Sequence, residues 1–128
     1  MYLGKHVVLD INNFEPKNKN LKEVSNLIFG IMEEAILKNT TMKIMHKQFT
    51  LLEEPQTENG WTSVLLLDAS HLTSHAYSDK KIIAFDIFTC GDHDTIKVCD
   101  HIIHRLEKIS PSLKVSKYEI INRFKFIK

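Results

Sequence analysis

Glycine, proline and cysteine are scarce in this chain of 128 residues, which contains 4, 3 and 2 of them. So few glycines leave no glycine-rich loop of the kind that cradles the phosphates of a nucleotide. The two cysteines, Cys90 and Cys99, form neither a disulfide framework nor a CxxC pair for zinc or redox chemistry. Any role of either thiol must therefore be individual.

Neither sign of charge dominates, because 17 basic residues face 16 acidic ones and leave a formal net charge of +1. A chain so balanced has no global field that would attract nucleic acid or an anionic membrane. No apolar run approaches membrane-spanning length, and Lys5 and His6 stand where a secretory signal would need an unbroken apolar stretch. We therefore expect a cytoplasmic protein without nucleic-acid or membrane partners, whose ligand is a small metabolite.

Hydrophobic periodicity predicts six strands and two helices in a single domain, residues 1–128. One helix is expected from Asn20, which has the capping-box spacing to Glu23, to about residue 39; the other begins at Asp92 or Asp94 and ends before Pro111. The expected strands are residues 6–11, 41–52, 61–67, 72–77, 82–89 and 113–121. This order predicts an α+β two-layer sandwich, a mostly antiparallel sheet with both helices on one face.

A polar segment, DASHLTSH at residues 68–75, lies between two hydrophobic strands. Hydroxyls and imidazoles between hydrophobic strands need hydrogen-bond partners, or they serve a function. On composition alone an ordinary surface turn explains them as well. What distinguishes the segment is its spacing to other groups, since His75 follows Ser70 by five residues and Cys90 follows Ser70 by twenty.

These motifs resemble those of the bacterial and archaeal S-adenosylmethionine decarboxylase proenzymes, which are pyruvoyl-dependent decarboxylases. In that family a serine is followed by His-Leu-Thr, then by a histidine five places on, then by a strand that ends in Phe-Thr-Cys-Gly. This chain reads SHLT at 70–73, His75 and FTCG at 88–91. GKH at 4–6 is also similar to the family's opening, so the resemblance covers essentially the whole chain.

The resemblance implies that Ser70 becomes the cofactor. Its hydroxyl would attack the carbonyl carbon of Ala69 to form an ester, and His75, as the processing base, would remove the α-hydrogen of residue 70. Elimination and loss of ammonia would then leave a pyruvoyl group. Cleavage between Ala69 and Ser70 gives chains 1–69 and 70–128, and no external cofactor, neither pyridoxal phosphate nor a metal, is needed.

The resemblance also assigns the remaining roles. The pyruvoyl group would form a Schiff base with the substrate's amine and accept the electrons released with carbon dioxide, after which Cys90 donates a proton. A hydroxyl at Thr62 or Ser63 would assist self-cleavage, and Phe49 matches an aromatic residue that stacks on adenine. The product, decarboxylated S-adenosylmethionine, serves spermidine synthesis, and the family implies a homodimer of cleaved protomers.

Departures from the family pattern leave the substrate open. Ala69 stands where glutamate usually precedes the serine, and AYSD at 76–79 replaces Thr-Trp-Pro-Glu. Tyr77 and Asp79 stand where the family has tryptophan and glutamate, so an aromatic ring and a carboxylate are still present. They would bind the adenine, sulfonium and ribose of S-adenosylmethionine. A smaller ring and a shorter acid equally suit a basic amino acid, so the same chemistry on ornithine or arginine is the main alternative.

Two interpretations from other classes remain open. An uncleaved, non-catalytic homologue that acts as a binding or regulatory subunit is compatible with Ala69. A metal site is compatible with the spacing of His71 and His75, or of His101 and His104, which places two imidazoles on one side of a strand or helix. No cysteine or acidic pattern completes either pair, so we expect no metal.

Overall fold

The computed structural model describes residues 2–125, which form six strands and two α-helices. All strands belong to one sheet in the order β2-β3-β4-β5-β1-β6, and every neighbouring pair is antiparallel. The elements in chain order are β1 (Tyr2–Asn12), α1 (Leu21–Asn39), β2 (Ile44–Leu52), β3 (Gly60–Leu67), β4 (Ser70–Tyr77), β5 (Ile82–Cys90), α2 (Thr95–Ile109) and β6 (Lys114–Lys125). A short 3-10 turn, Ser78–Lys80, joins β4 to β5.

Both helices begin directly after a side chain that caps them. The side chain of Asn20 accepts a hydrogen bond from the backbone N–H of Glu23, as its spacing predicted. The side chain of Asp94 accepts from the N–H of Lys97 in the same way, so α2 is capped by Asp94 and not by Asp92.

Some strands are longer than the hydrophobic runs that predicted them, because pairing with a neighbouring strand continues beyond the run. β1 and β6 pair with each other from Tyr2 and Lys125 at one end to Asn12 and Lys114 at the other, so both are longer than expected. β2 begins at Ile44, after the segment that ends α1. β4 begins at Ser70 rather than at residue 72, which has consequences for the site.

Alternation along the strands gives the sheet a covered face and an open face. Both helices pack on the covered face, where α1 lies against β2 and β3 and α2 lies against β1. Its buried core is formed by Val7, Leu9, Ile11, Leu65, Leu72, Phe85 and Ile87 of the sheet with Ile28, Met32, Ile36, Val98, Ile102 and Leu106 of the helices. The open face carries His6, Thr62, His71, His75, Asp86 and Phe88, and no other element described between residues 2 and 125 packs over it. The expected α+β sandwich is confirmed.

None of the helices described is long and apolar enough to cross a membrane.

Candidate active site

A two-residue turn, Asp68–Ala69, joins β3 to β4, since Leu67 pairs with Ser70. Ala69 has a φ of +59°, in the left-handed region, which costs a residue with a side chain about 1–2 kcal/mol. Asp68 anchors the turn, because its N–H donates to the carbonyl of Lys43 at 3.2 Å and its carboxylate accepts from the N–H of Lys43 at 3.1 Å. The peptide bond between Ala69 and Ser70 therefore follows a residue that is both strained and fixed in place.

Ser70 and Cys90 meet at this end of the sheet. The hydroxyl oxygen of Ser70, a residue only 8% exposed, accepts a hydrogen bond from the backbone N–H of Cys90 at 3.1 Å. Cys90 is the last residue of β5, and its thiol is free and exposed. Gly91 turns the chain with a φ of +78°, a conformation that favours glycine, and its N–H donates to the carbonyl of Leu3 at 3.1 Å.

Thr62 and His75 meet elsewhere, on the open face. They are direct partners in the pairing of β3 with β4, and Oγ1 of Thr62 lies 3.1 Å from Nδ1 of His75. Ser63 points to the covered face, is 2% exposed, and its hydroxyl lies 2.6 Å from that of Ser74. Of the two hydroxyls that the sequence offered for assistance in cleavage, only that of Thr62 contacts His75.

Ser70 and His75 do not meet within one chain. They are five residues apart in the same continuous strand, which at about 3.3 Å per residue separates them by about 16–17 Å. An odd spacing also directs their side chains to opposite faces of the sheet. The expected catalytic residues therefore form two pairs at two places, Ser70 with Cys90 and Thr62 with His75.

The three residues expected to bind the substrate do not lie beside Ser70 of the same chain. Phe49 is in β2 on the covered face, where its ring centroid lies 5.8 Å from that of Phe29 of α1. Tyr77, at the opposite end of β4 from Ser70, is 42% exposed, and Asp79 follows it in the 3-10 turn. Phe49 thus packs between the sheet and a helix, whereas Tyr77 and Asp79 are accessible.

A cluster of aromatic and charged side chains on the open face was not identified from the sequence. Nε2 of His6 lies 3.1 Å from Oδ1 of Asp86. The ring of Phe88 lies between two imidazoles, with centroid distances of 5.9 Å to His71, which stacks on it, and 6.5 Å to His6. The guanidinium carbon of Arg123 lies 5.5 Å from the same ring. The strand order β4-β5-β1-β6 brings these residues together, and no local pattern reveals that order.

Burial lowers the pKa of His71, and the nearby His6 lowers it further, whereas Asp86 opposes the shift. The neutral imidazole of His71 is thereby favoured.

The two thiols lie in opposite environments. Cys99 is fully buried in α2, and burial raises its pKa to about 12, so it stays protonated and unreactive. Cys90 is exposed beside Ser70. Only Cys90 is placed to take part in chemistry at this site.

The histidine pairs that might bind a metal have other partners. His71 stacks on Phe88, and His75 contacts Thr62. Nε2 of His101 lies 3.5 Å from Glu34 of α1, and His104 is exposed. Between residues 2 and 125, no three histidine, cysteine or acidic side chains are grouped so that they could hold a metal ion.

Comparison with known proteins agrees with the sequence motifs. The family model for S-adenosylmethionine decarboxylase matches residues 5–117. The S-adenosylmethionine decarboxylase proenzyme of Thermodesulfovibrio yellowstonii is 29% identical over 124 residues, which cover 94% of this chain and 84% of the relative. The proenzyme of the same name from Synechococcus sp. strain WH7803 is 31% identical over 120 residues, which cover 88% of this chain and 82% of the relative.

Among solved structures, the adenosylmethionine decarboxylase from Aquifex aeolicus VF5 has the same fold, with a TM-score of 0.72 at 19% identity. The match covers 99% of this chain and 95% of that one. Since the family model and the relatives match nearly the full length of the sequence, this chain belongs to the S-adenosylmethionine decarboxylase family.

Proposed function

We propose that this protein is a self-processing pyruvoyl-dependent decarboxylase that converts S-adenosylmethionine to decarboxylated S-adenosylmethionine for spermidine synthesis. The observation that carries the proposal is the position of the Ser70 hydroxyl, which is held by the N–H of Cys90 directly after the left-handed Ala69. A nucleophile held in place and a strained peptide unit directly before it are two of the parts that self-cleavage requires.

Self-cleavage begins when the Ser70 hydroxyl oxygen bonds to the carbonyl carbon of Ala69 and the amide nitrogen of Ser70 leaves, so that an amide becomes an ester. Breaking that amide removes the constraint that holds Ala69 at a positive φ. A base then removes the α-hydrogen of residue 70, and the carboxylate of Ala69 departs. The dehydroalanine that remains tautomerises to an imine, which water hydrolyses to a ketone and ammonia. Chains 1–69 and 70–128 result.

We propose that His75 is this base, that Thr62 orients it, and that both come from a second copy of the chain. Within one chain the base lies too far from Ser70, at about 16–17 Å along the strand. A two-fold dimer that packs the two open faces together would bring each Thr62–His75 pair to the partner's strand end that carries residue 70, where the base has to reach the α-hydrogen and not the side chain on the covered face, and would complete both sites. Leu66 and Ile121, which are 45% and 41% exposed on the open face, would be covered in that dimer.

The pyruvoyl group at residue 70 supplies a reactive ketone and an electron sink for decarboxylation. The chain's own part in turnover is to bind the substrate and to return a proton to the carbon that loses carbon dioxide. Cys90 is suited to that step, because its thiol is exposed and, in the precursor, its backbone N–H contacts the hydroxyl of residue 70 and so places Cys90 beside that residue. Tyr77 and Asp79 lie on the same strand end as His75, so in the dimer they would reach the site together with it and bind the adenosyl group.

A reduced thiol at Cys90 suits the cytoplasm, where thiols persist, and we propose that location.

Intact-mass measurement of the purified protein, followed by a decarboxylation assay, tests the proposal. We expect two masses, for chains 1–69 and 70–128, a ketone on the second chain, and release of carbon dioxide from S-adenosylmethionine in preference to ornithine or arginine. The Ser70→Ala variant should show one intact mass and no reaction with a carbonyl reagent. A wild-type protein that keeps the intact mass for days and releases no carbon dioxide would instead support the uncleaved binding homologue.

A further inference from the structure

Continuing the register of β4 and β5 by one residue puts Thr89 opposite Ser70 on the covered face. His71 pairs with Phe88, so the next residues along the two antiparallel strands, Ser70 and Thr89, are opposite each other. Opposite residues on one face have Cβ atoms about 4.5–5.5 Å apart. Both residues are buried, with 8% and 0% of their surface exposed.

The hydroxyl of Thr89 is held by a second buried hydroxyl. Oγ1 of Thr89 lies 2.7 Å from Oγ1 of Thr95, the first residue of α2, which is 1% exposed. Valine has nearly the shape of threonine, and would fill both positions without any polar atom to satisfy. The two hydroxyls satisfy each other, and that of Thr95 also lies 3.4 Å from the carbonyl oxygen of His93; beyond this structural role, the pair provides a buried hydroxyl next to the nucleophile.

Ester formation at Ser70 requires a proton to change places. The hydroxyl loses its proton as its oxygen bonds to the carbonyl carbon of Ala69, and the departing nitrogen must gain one. The hydroxyl oxygen of Ser70 already accepts from the N–H of Cys90. Among the hydrogen bonds within residues 2–125, none has the Ser70 hydroxyl as its donor. Because the register of β4 and β5 puts Thr89 opposite Ser70, the hydroxyl of Thr89 is the candidate acceptor.

We propose that Thr89, oriented by Thr95, shuttles this proton during ester formation, an inference that rests on the proposed self-processing function. Either hydroxyl can donate in the contact between Thr89 and Thr95, and the Thr95 hydroxyl also lies 3.4 Å from the carbonyl oxygen of His93. In the proposed arrangement Thr95 donates to Oγ1 of Thr89 instead of to His93, which leaves the hydrogen of Thr89 free to turn away from α2 and toward Ser70. As the new C–O bond forms, Oγ1 of Thr89 accepts the proton of the Ser70 hydroxyl. As the C–N bond breaks, Thr89 releases its own proton to the nitrogen of Ser70, so Thr89 ends unchanged.

This role assigns Thr89 to a different step from His75. His75 acts on the ester, after the amide is lost, whereas Thr89 acts on the amide. Hydroxylamine separates the two steps, because it splits an ester between residues 69 and 70 but leaves an amide intact. A purely structural role of Thr89 would not select one of the two steps.

The experiment measures self-cleavage of newly purified Thr89→Val, Thr95→Val and Thr89→Ser by intact mass, with and without hydroxylamine. We expect Thr89→Val to cleave about a hundredfold more slowly and Thr95→Val about tenfold more slowly, at or below the low end of the range for proton-transfer groups. The precursor that accumulates should resist hydroxylamine. Thr89→Ser, which keeps the hydroxyl, should cleave nearly as fast as the wild type.

Ser110→Ala is the matched control. Ser110 is also a fully buried hydroxyl, which accepts from the N–H of Glu15 at 2.8 Å. It lies just beyond α2, at the opposite end from Thr95, about 22 Å away along a helix of fifteen residues. This variant should lose stability yet cleave at the wild-type rate, which separates loss of a buried hydrogen bond from loss of the shuttle.

The outcomes distinguish this inference from the function on which it rests. A Thr89→Val protein that cleaves at the wild-type rate, or that accumulates hydroxylamine-sensitive ester, would overturn the role of Thr89. A wild-type chain that never cleaves would overturn the proposed function itself. Should Thr89→Val not fold, Thr95→Val decides, since it leaves Thr89 in place and removes only the hydroxyl that orients it.

Discussion

Oγ1 of Thr62 lies 3.1 Å from Nδ1 of His75, while the adjacent Ser63 turns to the other side of the sheet and contacts Ser74 at 2.6 Å. Two neighbouring hydroxyls therefore have different partners, on opposite faces of the sheet. When the Nδ1–H of His75 donates to the hydroxyl oxygen of Thr62, this contact orients the imidazole and leaves the lone pair of Nε2 available to act as a base. A hydroxyl buried under the sheet stabilises the fold.

Thr62→Val should therefore slow the elimination step, and the ester should accumulate. We expect about a tenfold lower rate of pyruvoyl formation, since the base is misoriented but still present. Hydroxylamine should split this variant between residues 69 and 70. Ser63→Ala is the matched control, for which we expect a lower melting temperature and normal processing; an equal defect in both variants would contradict the distinction.

Replacing Ala69 by glycine should slow self-cleavage and stabilise the precursor. Glycine adopts a positive φ without the steric cost that alanine meets at +59°, so the uncleaved turn should gain up to about 1 kcal/mol. Chemical denaturation of Ala69→Gly in a Ser70→Ala background, where the chain stays intact, measures the gain. The processing rate is measured with Ser70 present. In Ala84→Gly, on β5, glycine should only destabilise.

Local features of the fold were predictable from the sequence, and long-range ones were not. The caps at Asn20 and Asp94 bond to backbone groups three residues away, so spacing reveals them. The contact of His6 with Asp86 joins residues 80 apart, and it depends on β1 lying beside β5. The order of the strands is a property of the whole sheet. The cluster around Phe88 could therefore not be predicted from local sequence patterns.

The sequence suggests members of the candidate site but not their arrangement. The family resemblance proposes Ser70, His75 and Cys90, and their catalytic roles stay predictions. The expected strand began at residue 72, which left Ser70 in a turn; the strand instead begins at Ser70, so regular alternation separates its side chain from that of His75. This difference of two residues in the strand boundary is the basis of our proposal that two chains complete the site.

His71 should make the precursor less stable in acid. Its pKa lies below the usual 6.5 because burial disfavours its charged form. Its contribution to stability is therefore complete above about pH 6.5 and is lost as the pH falls below that value, since the unfolded chain binds the proton more readily. In a Ser70→Ala background, the melting temperature should fall more between about pH 7 and about pH 5 than it does with His71→Gln added. Parallel curves would contradict this.

Cys90→Ala should leave self-cleavage largely intact and cut turnover strongly, because the proton is required after decarboxylation. The backbone N–H that bonds to Ser70 is retained in this variant. Without the thiol, protonation on the pyruvoyl side should convert part of the cofactor into an alanine terminus, visible by mass spectrometry of the chain 70–128. Cys99→Ala is the control, since that thiol is buried and protonated. Undiminished turnover of Cys90→Ala would remove Cys90 from the mechanism.

If each site is completed by residues of two chains, two variants that are inactive alone should restore self-cleavage when they are combined in one dimer. Ser70→Ala lacks the nucleophile and His75→Ala lacks the base, so neither should form a pyruvoyl group alone. In a mixed dimer, the Ser70 of the His75→Ala chain meets the intact His75 of its Ser70→Ala partner, and one of the two sites is complete. The other site has neither group.

Coexpression of the two variants with different tags tests this. The His75→Ala chain should be cleaved and carry the ketone, while the Ser70→Ala chain stays intact, an asymmetry that intact mass resolves. Coexpression of His75→Ala with Cys90→Ala should also yield cleaved His75→Ala chains, because the Cys90→Ala chain still provides His75. If neither mixture yields cleaved His75→Ala chains although the mixed dimers form, the base acts within its own chain, and the strand that separates it from Ser70 must rearrange before cleavage.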